Sequence, residues 1–143
     1  MAESNERGHR TGIHPVHAIL LASTIPLFLG ALLSNWAYAS TYQIQWTNFA
    51  SWLVAGGLVF TGLALAWAAV ELLRAGRRRS RNAWIYVGLI LATFASGFIN
   101  ALVLAKDAWA AMPAALILSA IVLLLAIAAN WAAYADRWEG DIA

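Results

Sequence analysis

The chain has 143 residues, of which 62% are hydrophobic and only 11% charged, and its mean hydropathy is +0.69. That balance excludes an ordinary soluble domain. The formal charge of +2 does not make a nucleic-acid binder, because the arginines gather in one short segment instead of spreading over a face. The absence of cysteine excludes disulfides, thiolate metal sites, c-type haem attachment and a cysteine nucleophile.

Residues 1–13 are polar and read as a loosely ordered tail. Four apolar runs follow, about Val16–Ala39, Phe49–Leu73, Ala83–Ala105 and Met112–Tyr134. Each is near the ~20 residues that a spanning helix needs. The only Asp, Glu, Lys or Arg within them is Glu71, and runs apolar on every face suit lipid. The expected fold is all-α, an integral membrane four-helix bundle running up-down-up-down, with residues 14–139 as the membrane domain and 140–143 as a short tail.

The first run carries Pro26, which frees the carbonyl of Ala22 and should kink the helix. Ser23 and Thr24 are near enough to help satisfy the disturbed backbone. Arg7, Arg10 and the sequence Ala37-Tyr38-Ala39 imitate a signal peptide with its cleavage site. The long apolar stretch and the bulky Trp36 and Tyr38 favour a retained span instead. His17, Thr24, Ala31 and Asn35 share one helix face by their spacing, and that face should look into the bundle. An outer connection over Ser40–Asn48 leads to the second run, where Gly57 and Thr61, then Gly62 and Ala66, repeat at intervals of four. In the third run Gly88, Ala92, Ser96 and Asn100 do the same. Small residues at this interval let membrane helices approach closely, within the chain or between copies, so a homo-oligomer stays open. After a second outer connection, Lys106–Ala111, Pro113 suits the first turn of the fourth helix.

Eight of the nine Lys and Arg residues fall on one side of this arrangement. Arg74, Arg77, Arg78, Arg79 and Arg81 flank the second and third runs, and short basic loops stay in the cytoplasm, so both termini should be cytoplasmic. Attraction of Arg77, Arg78, Arg79 and Arg81 to anionic lipid headgroups follows from the same charges. Trp36, Trp46, Trp84, Trp109 and Trp131 fall near the ends of the runs, where amphipathic rings prefer the interface.

The topology sets polar residues in two layers. His14, His17, Glu71, Tyr86 and Asn130 come to comparable depth in the cytoplasmic half, and Asn35 and Asn100 in the outer half. Polar side chains within a membrane pair with one another, and ionisable ones are functional candidates. Imidazole binds metals and haem and moves protons. His14 and His17 are three apart on one helix face, so they cannot be opposite axial ligands of one haem. A haem b ligated once or shared between subunits stays open, as does a small metal site of His14, His17 and Glu71. The plainer reading has His14 capping the helix before Pro15 and His17 bonded to Glu71, Tyr86 or Asn130. Glu71 has its own plain partner in Arg74, three residues on. No Gly-rich phosphate loop, Ser-His-Asp pattern or carboxylate pair is present, so no catalytic residue and no metal ligand set is assigned.

The stretch Gly12-Ile13-His14-Pro15-Val16-His17, Pro26, Trp46 with Ser51-Trp52-Leu53, Gly56-Gly57-Leu58-Val59-Phe60, Lys106-Asp107-Ala108-Trp109 and Leu118-Ser119 follow one another in an order that resembles a bacterial family of small four-span membrane proteins, domain of unknown function 2231. The resemblance covers about residues 12–134. It implies association with periplasmic sugar dehydrogenases, hence an anchoring or electron-transfer role. Tyr86 stands where such proteins often have a third-helix histidine, and Tyr134-Ala135-Asp136-Arg137-Trp138 lacks their histidine-bearing tail.

Three functions are carried forward. The first is a non-enzymatic anchor or accessory subunit of a membrane or periplasmic complex in the bacterial inner membrane, with lipid and a second subunit as partners. The second is a haem- or quinone-associated electron-transfer subunit for a periplasmic dehydrogenase. The third is a small transporter or proton channel, against which the apolar middle between the polar layers argues.

Overall fold

A computed structural model describes residues 13–75 and 81–141. Helix α1 runs over Pro15–Thr41, α2 over Ile44–Ala75, α3 over Arg81–Leu104, a single turn α4 over Ala108–Ala111, and α5 over Ala114–Asp141. The four long helices are each long and apolar enough to cross a membrane, as the four apolar runs predict.

Local chemistry sets their ends. Pro15 opens α1, where its missing N–H costs nothing, and the His14 imidazole at the N-cap accepts the Val16 N–H at 3.3 Å. At the other end Tyr42 adopts the left-handed conformation (φ 57°), and its N–H closes on the Tyr38 carbonyl at 2.8 Å. Glycine usually takes that place. Here the Tyr42 ring lies against Tyr38 and Trp109, at centroid distances of 6.2 and 6.5 Å.

The connection expected over Ser40–Asn48 shrinks to Tyr42 and Gln43. The polar residues that suggested a loop fold their hydroxyls onto carbonyls within about a turn: Ser40 onto Trp36, Thr41 onto Ala37 and Thr47 onto Ile44. The helices therefore continue through them. The second connection contains α4, and Pro113 precedes the first turn of α5, its carbonyl accepting the Ile117 N–H at 3.1 Å. Helix α5 also runs further than expected, to Asp141. Pro26 lies inside an unbroken α1. Ser23 and Thr24 donate to the carbonyls of Ile19 and Leu21, not to that of Ala22.

Helix α1 packs against α2 and α5, and α3 packs against the same two, so α1 and α3 face each other across the bundle. The near end holds the start of α1; the far end holds the Tyr42–Gln43 connection and α4. The buried positions of α1 include His17, Leu21, Thr24, Phe28, Ala31 and Asn35. Those of α3 are Tyr86, Ile90, Thr93, Gly97, Asn100 and Leu104. Every member of the second set lies 69 residues after its counterpart, the separation of His17 from Tyr86. Helices α1 and α3 thus turn inward stripes of the same spacing toward the bundle centre.

Phe28 fills the middle. A Cβ added to Gly57 would lie 2.5 Å from its ring, and one on Gly97 3.7 Å away. Val122 and Ala126 of α5 complete this apolar layer. Outward, Trp52, Leu63, Leu102, Leu124 and Trp131 are exposed, the surface a lipid-embedded bundle presents.

Candidate functional site

At the near end the helices bring His17 of α1 to Tyr86 of α3. Its Nε2 lies 2.7 Å from the Tyr86 hydroxyl in a buried hydrogen bond, and the rings meet edge-on. Because α1 and α3 face each other across the bundle, this bond spans its interior. Trp67 of α2 closes the side, its ring 5.1 Å from that of His14 and 5.9 Å from that of His17. The Trp67 indole N–H donates to the Glu71 carboxylate at 2.9 Å, one turn along the same helix. An aromatic ring thus stands beside both imidazoles, with the exposed Glu71 carboxylate bonded to its edge.

His14 is exposed, with Nδ1 engaged by Val16 and Nε2 free of the helix cap. Asn130 of α5 sits deeper. Its amide donates to the carbonyls of Leu21 (3.2 Å) and Ala126 (2.9 Å), with Thr24 Oγ1 at 3.5 Å. Of the three partners offered for His17, the bonded one is Tyr86. Its Nδ1 is buried with no hydrogen-bond partner among the described residues. Among those residues no group of three His, Cys, Asp or Glu side chains gathers as a metal site.

At the far end Asn35 of α1 and Asn100 of α3 meet through Ser119 of α5. Both amides donate to its Oγ, at 2.8 and 2.9 Å, and Asn35 also lies 3.5 Å from the Ala115 carbonyl. Neither asparagine has any exposed surface. Three helices are tied at one oxygen, with no ionisable group in the knot.

The small residues divide. Gly57 and Thr61 are buried on α2, with the Thr61 hydroxyl donating to the Gly57 carbonyl at 2.7 Å. On α3 the tight side is Tyr86, Thr93, Gly97 and Asn100. Ala92 and Ser96 are half-buried, and Gly88 is exposed with no atom within 4 Å of an added Cβ. The interval of four drifts around a helix of 3.6 residues per turn, so Gly88 and Asn100 cannot share one seam. Arg81 opens α3 in an exposed position; Arg77, Arg78 and Arg79 lie outside the described residues.

Sequence reasoning missed two contributors. Trp67 is given no role there, though its distance of four from Glu71 offered a clue. Ser119, the one serine or threonine in the fourth run, comes level with Asn35 once the connections are counted.

The match that decides the family spans nearly all of this framework, residues 13–139. The chain belongs to the predicted membrane proteins of DUF2231. The four spans are those of a multi-pass membrane protein, and the matched residues include both polar layers of this DUF2231 chain. No curated protein and no solved structure matches it.

Proposed function

We propose that this DUF2231 protein is a non-enzymatic anchor or accessory subunit of the bacterial inner membrane, with both termini cytoplasmic. The observation that carries this reading is the filled bundle centre. Phe28, Val122 and Ala126 separate the two polar layers, and one connection is only Tyr42 and Gln43. Such a body offers a partner its sides and its ends, and it offers a substrate no continuous polar path. The partner is a membrane or periplasmic subunit that packs against the apolar exterior.

A second reading has its own observation. His14 is exposed at the near end beside Trp67, and His17 Nδ1 has no hydrogen-bond partner among the described residues, so a single imidazole ligand to haem or a quinone neighbour would be placed here. Purification from native membranes in mild detergent separates the two. The anchor reading expects stoichiometric co-purification with another subunit and no Soret absorption in the isolated chain. A Soret band lost in His14→Gln or His17→Gln would replace it with the electron-transfer reading.

A further inference from the structure

We propose that the far-end knot holds one tightly bound water molecule, shared by Asn35, Asn100 and Ser119. The donor and acceptor count is the ground for it. Ser119 Oγ accepts from both amides, which leaves its own O–H to donate. Asn35 Oδ1 and Asn100 Oδ1 are both buried without a hydrogen-bond partner among the described residues. The knot therefore has the Ser119 hydroxyl hydrogen and the second N–H of Asn100 to give, and two carbonyl oxygens to fill. Water is the smallest molecule that accepts once and donates twice.

The geometry agrees with the count. A carboxamide carries an N–H and its C=O on one edge. A donor seated beside the hydroxyl therefore reaches the carbonyl of an amide whose N–H reaches that hydroxyl. Each amide, the Ser119 hydroxyl and the water then close a ring of hydrogen bonds, and both rings share the Oγ and the water. Turning one amide over exchanges an unmet acceptor for an unmet donor and leaves the need in place. Buried waters typically make about three hydrogen bonds, the number offered here. Unmet polar groups are costlier still where lipid replaces solvent.

A bare cation fits poorly. The ligands are two neutral amide oxygens and a hydroxyl already accepting twice, with no carboxylate in the layer. A hard cation takes six or more oxygens. Access is short. A pocket of about 340 Å³ lined by Tyr38, Tyr42, Trp109, Met112 and Pro113 opens at the far end. Tyr38 in its lining is three residues along α1 from Asn35.

The test is water-to-side-chain magnetisation transfer in full-length protein, ¹⁵N-labelled at asparagine, in detergent. Direct dipolar cross-peaks to a long-lived water are expected at the side-chain amides of both Asn35 and Asn100. In Asn100→Leu the Asn35 cross-peak should vanish, because the shared molecule has lost one of its acceptors. Absence of both cross-peaks in the wild-type protein would overturn the proposal without any variant. Persistence of the Asn35 cross-peak in a folded Asn100→Leu would overturn the sharing. A side-chain amide spectrum that shifts between sodium and potassium at equal ionic strength would show a cation in its place.

Discussion

The two polar layers solve one problem in opposite ways. The far-end knot is neutral and closed: two amides and a hydroxyl, with both asparagines sealed from every surface. The near-end cluster is ionisable and half open: the His17–Tyr86 bond is buried, yet His14 and Glu71 are exposed and Trp67 lies between them. A neutral knot can fasten helices without the penalty that a charge would incur in lipid. An ionisable group is tolerable near a helix end, where its polar atoms reach the interface. The far layer is therefore built for cohesion, and the near layer is where chemistry or a partner's polar group could enter.

The layer between them supports this contrast, and damage there should have the largest effect. Gly57→Val puts a side chain where Phe28 already stands. It should cost about 3 kcal/mol, the upper part of the usual overpacking range. Thermal unfolding in detergent would show it as the steepest loss of the series; an unchanged transition would mean that Phe28 does not fill the centre.

Breaking the far knot comes next. Ser119→Ala strands both asparagine amides at once and should destabilise the fold by ~1–3 kcal/mol. The same assay measures it, and a loss smaller than that of the near-end variant would reverse the division of roles. At the near end, Tyr86→Phe removes the hydroxyl from His17 and keeps the ring. A cost of ~1 kcal/mol is expected, typical of a single hydrogen bond. The smallest effect belongs to Gly88→Leu, on an open face of α3, which should stay within ~0.5 kcal/mol. A loss of dimer-sized species in native mass measurements of that variant would instead mark the face as an interface between copies.

Much of this was legible in the residues. The four apolar runs gave four helices of the expected kind. The spacing of His17, Thr24 and Asn35 placed one face of α1 inward, where the structure puts it. Tyr86 stood among three candidate partners for His17. What stayed hidden has physical causes. The hydroxyls of Ser40, Thr41 and Thr47 look like loop residues until each bonds to its own helix backbone. An interval of four reads as one stripe but winds around α3, carrying Gly88 out of the interior.

The central claim is that an apolar layer around Phe28 separates the two polar layers and closes the bundle to ions. Proton and ion flux across proteoliposomes containing the purified wild-type chain tests it most directly. Flux indistinguishable from that of empty vesicles, with a pH gradient and with an applied potential, is the predicted result. Flux that rises with the amount of protein and falls when Phe28 is replaced by Trp would contradict the account.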